Sequence, residues 1–228
     1  MPRGISAVTV KGVRLLTRVL AQARRFAGNR FKHAIRFRNR VVLGWRRRSL
    51  PMPVAGRFLV TGPTGVGKSE VRVLLSAAGF DAVGADSAFL YHGNLETGER
   101  TDFPDRVTRE WYESYGWLWP PEPVHELLSD GARPLLFVCG GADNEAQFYP
   151  LFDRVFLLHA TTATLLRRLA RREPGDVTRN PVAIDRLRER NQRPPVVPSD
   201  GRIVSIDAER PITEVVCMIL REAARGGT

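Results

Sequence analysis

The chain has 228 residues, 43% of them hydrophobic, which allows one sizeable α/β domain or one domain with an extension. Its charge is lopsided: residues 1–56 hold twelve Arg and two Lys and no acid, so they carry +14, and the overall +11 leaves 11 − 14 = −3 for residues 57–228. No apolar run reaches the ~18 residues of a membrane-spanning helix, and Cys139 and Cys217 show neither metal nor disulfide spacing, so the expectation is a protein of the reducing cytoplasm.

Residues 1–56 read as a basic N-terminal extension, separate from a domain at 57–228. Ile5 to Phe26 carries a weak helical pattern, and Arg30 to Arg48 is a dense basic run. Residues 1–48 could contact nucleic acid through phosphate neutralisation, lie on an anionic membrane surface, or act as an Arg-rich leader. A disordered tail or translated upstream sequence is the plainer reading, since a segment without acids or a core of its own gives little to fold around. Met52 is then the alternative start, and Pro51-Met52-Pro53 marks the boundary.

The stretch RFLVTGPTGVGKSEVR, Arg57 to Arg72, organises the remainder. Phe58-Leu59-Val60 reads as a strand, and Lys68 to Ala78 as a helix closed by Gly79. Between them Gly62-Pro63-Thr64-Gly65-Val66-Gly67-Lys68-Ser69 fits G-x-x-x-x-G-K-S. The glycines let the backbone curl with its N–H groups inward. With the helix N-terminus they would form an anion site for phosphates. Lys68 would reach the β- and γ-phosphates, and the Ser69 hydroxyl would ligate Mg²⁺.

Phe80 to Asp86 reads as a second strand ending in a carboxylate at the sheet's carboxyl edge, where open α/β sheets bind ligands. Asp86 could orient a substrate hydroxyl, act as base, or hold Mg²⁺ through water; a helix cap is the structural alternative. Residues 87–133 show no clean strand, with helices expected at Glu110 to Tyr115 and Pro123 to Leu128. Trp111, Tyr112, Tyr115, Trp117 and Trp119 could stack on a ring or sugar, but most are expected to fill a small core.

Pro134 to Cys139 reads as a buried strand running into Gly140-Gly141, glycines that permit close backbone approach to a ligand. No Asp ends that strand, and Asp143 is a weak substitute. Val155 to His159 is the next strand, and Thr162 to Glu173 a helix bearing Arg167, Arg168, Arg171 and Arg172. Such arginines can clamp phosphate oxygens or simply form a solvated basic face. After Pro174-Gly175-Asp176 come a charged helix, Val182 to Gln192, a Pro194-Pro195 turn, a last strand at Arg202 to Ala208 and a closing helix at Pro211 to Ala224. The alternation predicts a parallel sheet of about five strands with helices on both faces.

From Phe58 to about Arg221 the chain resembles the small P-loop kinases, in the group of shikimate, gluconate, adenylate and other nucleoside monophosphate kinases. The resemblance rests on GPTGVGKS, on Arg168-Leu169 and Arg172 as an R-L-x-x-R approach to a short lid at Asp176 to Arg193, and on Ile206-Asp207-Ala208 followed by Pro211. It implies an ATP-dependent, Mg²⁺-assisted phosphotransferase, a monomer, acting on a small metabolite or nucleotide. Lys68, Arg168 and Arg172 would hold the γ-phosphoryl group, Asp207 and Ala208 would border the adenine, and Asp86, Gly140 and Gly141 would meet the acceptor. The segment from Asp86 to Asp130 matches no acceptor site of that group. A GTPase would carry N-K-x-D, yet lysine occurs only at 11, 32 and 68. An AAA-type motor would end a strand in Asp-Glu, and PLLFVCGG does not. A regulatory ATP-binding module without an acceptor remains the alternative.

Overall fold

The computed structural model describes residues 54–173, 176–192 and 201–225. The basic extension with its helical pattern, Met52, Pro174-Gly175, Arg193 and Pro194-Pro195 lie outside the described residues.

The central strand is β1, Gly56–Thr61, whose last four residues are buried. After it come helix α1, Lys68–Ala77, strand β2, Asp81–Gly84, and the one-turn helix α2, Ala85–Ala88. Strand β3, Tyr91–Asn94, helix α3, Arg109–Ser114, strand β4, Tyr115–Leu118, and helix α4, Pro121–Ser129, form an insertion before strand β5, Leu135–Cys139. A 3₁₀ helix, Glu145–Leu151, leads to strand β6, Arg154–His159, and helix α5, Thr162–Leu169. A short 3₁₀ turn, Val177–Arg179, helix α6, Pro181–Gln192, strand β7, Ile203–Asp207, and helix α7, Ile212–Arg225, complete the domain.

The main sheet has five strands in the order β2-β5-β1-β6-β7, and every pair is parallel. Its strands read as apolar runs because both faces are covered. Successive side chains alternate between those faces. Leu59, Leu136, Val138 and Val155 turn one way and pack with Trp119, Val124, Phe148 and Phe152. Phe58, Phe137 and Phe156 turn the other way and pack ring against ring, with Phe58 and Phe137 centroids 5.1 Å apart. Helices α1 and α7 touch each other, and α1 also lies on β2 and β5. They bury Val71, Leu74 and Leu75 from α1 and Val215, Val216, Ile219 and Leu220 from α7. The α/β sheet with helices on both faces is the architecture expected from the alternation of elements. Among the described residues no helix is long and apolar enough to cross a membrane.

Three local expectations fail, and one further element has no counterpart among them. Residues 87–133 do contain strands: β3 and β4 pair antiparallel, with Gly93 opposite Gly116. Four-residue strands, each with a glycine and separated by 20 intervening residues, lack the alternation that marks a hairpin. Asp86 does not end β2; the strand stops at Gly84 and Asp86 is the second residue of α2. Helix α5 stops at Leu169 rather than Glu173, so Arg171 and Arg172 follow its end. The 3₁₀ helix at Glu145–Leu151 holds Pro150 inside it, and an interior proline argues against a helix in sequence.

Candidate functional site

The loop between β1 and α1 keeps three glycines at positive φ: Gly62 at 137°, Gly65 at 85° and Gly67 at 115°. At Gly62 a Cβ would lie 2.3 Å from the Leu158 carbonyl oxygen, so both conformation and space require glycine. The Val66 N–H donates to Pro63 O at 3.2 Å, closing the turn. No side chain caps α1 at Gly67. The helix therefore begins with N–H groups that a bound anion can satisfy. Ser69 is the exposed second residue of α1.

Lys68 curls back over the loop, its Nζ donating to Gly62 O at 2.7 Å and Pro63 O at 3.2 Å. Burial lowers its pKa, while the charges of Asp86 and Glu145 pull it back up. Both carboxylates thus bear on the lysine from the carboxyl edge of the sheet. Asp86 Oδ1 accepts from Gly141 N at 3.4 Å. A Cβ on Gly140 would meet Ala85 Cβ at 2.6 Å and Asp86 Oδ1 at 2.8 Å. Gly140 therefore makes room for α2, and Gly141 lines the cleft.

Glu145 was not foreseen. Its Oε2 accepts from Thr61 Oγ1 at 2.7 Å and Ala142 N at 3.1 Å, and its Oε1 from the Tyr149 hydroxyl at 2.8 Å. Burial raises its pKa, against the hydrogen bonds from Thr61, Tyr149 and Ala142 and the charge of Lys68. The sequence offers no sign of it, because the site groups it meets, Thr61 and Lys68, lie on β1 and α1, far from it along the chain.

These groups open on a cleft of about 770 Å³. One wall is the loop from Gly62 to Thr64 with Lys68. Others are Trp117 of β4, Tyr112 of α3, and Arg186 and Arg190 of α6. Asp143 is not a metal-side carboxylate of a strand end. Its side chain is committed to Trp117 N and to Arg186 and Arg190. The aromatics divide: Trp111 and Tyr115 pack within the insertion, while Tyr112 and Trp117 also line the cleft. Trp111 stacks on Tyr115 with centroids 5.6 Å apart, and His92 packs on Trp117 at 3.5 Å. Trp119 is wholly buried in the main core.

The arginines divide differently from the expectation. Arg168 donates to Val66 O at 2.9 Å and to Ala208 O at 2.8 Å, so it ties the phosphate loop to the end of β7. Arg172 donates to Thr178 Oγ1 at 3.0 Å and pairs with Asp176 at 3.5 Å, and its charge also bears on Lys68. Asp207 accepts from Glu209 N at 2.9 Å, and Ala208 N donates to His159 O at 2.8 Å. Arg168, Arg172, Asp207, Ala208 and Asp86 are not on the cleft wall. The guanidinium groups on that wall belong to Arg186 and Arg190. Cys139, buried at the end of β5, is pushed up to about 12 by burial and stays a thiol.

No protein family model matches the sequence, and no curated protein matches it. Among solved structures, the chain is similar to a gluconokinase from Sinorhizobium meliloti 1021, with 20% identity, 77% of this chain and 95% of that one covered, and a TM-score of 0.48. It is similar to a shikimate kinase from Acinetobacter baumannii in complex with shikimate, with 17% identity, coverage of 75% and 93%, and a TM-score of 0.47. A deoxyadenosine kinase from M.mycoides with bound dATP gives 12% identity, coverage of 72% and 97%, and a TM-score of 0.37. All three are kinases, and these likenesses assign no substrate to this chain.

Proposed function

We propose that this chain is an ATP-dependent phosphotransferase acting on a hydroxyl group of a small metabolite or nucleotide. The observation that carries the reading is the glycine loop at positive φ, with an uncapped helix behind it and Lys68 folded over it, opening on a cleft of about 770 Å³. The loop amides and α1 hold the phosphates. Lys68 leaves the Gly62 and Pro63 carbonyls for the phosphoryl oxygens. The residues present fit a Mg²⁺ ion bound mainly by phosphate oxygens and water, with the exposed Ser69 hydroxyl as its protein ligand. Such an ion would neutralise charge on the transferring group. Asp86, whose charge bears on Lys68, orients or deprotonates the acceptor hydroxyl. Arg172 lends positive charge beside Lys68, Arg168 fixes the loop against β7, and Asp207 and Ala208 border the base.

The test is ADP release from ATP against pooled metabolites, with wild type and two variants. Lys68→Ala loses nucleotide binding or turnover. Asp86→Asn loses transfer by about 10²–10⁴-fold while keeping nucleotide affinity. Normal phosphoryl transfer by Lys68→Ala would refute the site, and normal transfer by Asp86→Asn would leave that carboxylate a structural role only.

A further inference from the structure

Asp143 stands out as a carboxylate held on all sides. Its side chain is only 6% exposed. Its Oδ2 accepts from Trp117 N at 2.9 Å, and its own N–H donates to Trp117 O at 2.7 Å. Gly116 permits this approach, since a Cβ there would fall 2.2 Å from Asp143 Oδ2. The other oxygen, Oδ1, accepts from Arg186 Nη2 at 3.1 Å and forms an ion pair with Arg190 Nη2 at 2.5 Å. The Arg186 guanidinium also lies 4.6 Å over the Tyr112 ring, which fixes its plane. Among the described residues, the other N–H groups of these two guanidiniums have no protein acceptor, and both side chains line the cleft that Lys68 opens into.

Two positive groups on one buried carboxylate leave this cluster of three side chains net positive. Holding the helix in place does not require it. Asn191 already ties α6 to Ala160 O at 3.2 Å and Thr162 Oγ1 at 2.9 Å, and Glu189 pairs with Arg109 at 2.6 Å. What the carboxylate adds is orientation. An arginine side chain has about 2 kcal/mol of rotamer entropy to lose on binding, and anchoring one nitrogen in advance reduces that cost.

Resting on the phosphotransferase reading, we propose that Asp143 is a positioning residue of the nucleotide site. It fixes Arg186 and Arg190 on the cleft wall so that their remaining N–H groups take an oxyanion of the phosphoryl chain.

The experiment titrates the full-length protein with Mg-ATP and follows melting of each variant alongside. Asp143→Asn weakens ATP binding by about tenfold, the scale of one charge-assisted hydrogen bond. Asp143→Glu restores part of the loss. The paired variant Arg186→Gln, Arg190→Gln weakens ATP at least as much. Adding Asp143→Asn to that pair costs nothing further, because the carboxylate acts through the two arginines. An equal loss from Asp143→Asn with and without the arginines would overturn the proposal, as would wild-type affinity in Asp143→Asn. Should Asp143→Asn not fold, unchanged ATP affinity in the arginine pair overturns it instead. A wild type that binds no ATP removes the phosphotransferase reading itself, whereas wild-type binding indifferent to Asp143 removes only the positioning role.

Discussion

The two walls of the cleft are built on opposite plans. The phosphate-loop wall is one continuous stretch from β1 into α1, and its shape comes from backbone torsions that only glycine adopts readily. The facing wall is gathered from Tyr112, Trp117, Asp143, Glu145, Arg186 and Arg190, which lie on four separate segments of chain. Local covalent geometry fixes the first. Burial and charge pairing fix the second, and nothing local marks its members in advance. The first wall should therefore break all at once under a single methyl group, and the second should weaken by degrees.

Gly62→Ala is the sharpest way to break the first wall. The added Cβ meets the Leu158 carbonyl at 2.3 Å in a backbone with φ of 137°. Strain and clash together should cost roughly 2 kcal/mol or more and abolish ATP binding. Thermal melting and an ATP titration check this, and a variant that binds ATP normally would mean that the loop's curvature is not the determinant.

Truncating the buried aromatic that roots the insertion in the main core comes next. Trp119→Ala removes a side chain with no exposed surface, packed edge-on to Phe89 with centroids 5.7 Å apart. It should destabilise the fold by about 3–5 kcal/mol in denaturant unfolding. Loss of stability below 1 kcal/mol would show that the insertion is not rooted there.

Glu145→Gln probes the facing wall by pH. Burial raises the Glu145 pKa, so between the ordinary 4.5 and that raised value the folded chain binds more protons than the unfolded one. Stability owed to this group is present below 4.5 and declines as pH rises through the folded pKa. The glutamine variant lacks that decline. Its melting temperature should therefore gain on wild type as pH rises above 4.5, and a difference flat from pH 4 to 8 would contradict the burial argument.

The smallest effect lies outside the cleft. Glu209 accepts from the hydroxyl of Thr161 at 2.6 Å and its N–H at 3.0 Å, at the N-terminus of α5. Those hydrogen bonds hold its pKa at about 2 instead of 4.5. The contribution is full above 4.5 and is lost as pH falls toward 2. Glu209→Gln should thus lower the melting temperature by a degree or two near neutrality and by nothing near pH 2.

Much of the fold is legible in the residues alone. Apolar runs at Phe58-Leu59-Val60, Pro134 to Cys139 and Val155 to His159 cannot stay in water, and their spacing leaves room only for parallel strands joined by helices. GPTGVGKS is legible for a different reason, because glycine torsions and a helix start are properties of adjacent residues. Asp86 follows the second strand, where its position in the sequence puts it, but it sits on helix α2. Tertiary structure alone decided the rest. It turned Tyr91–Asn94 and Tyr115–Leu118 into a hairpin, gave Arg168 to two backbone carbonyls, and brought Glu145 to Thr61 and Asp143 to Arg186 and Arg190. A sequence shows which groups must be buried or turned. Which buried charge meets which partner depends on distances across the fold, and those exist only once the sheet has closed.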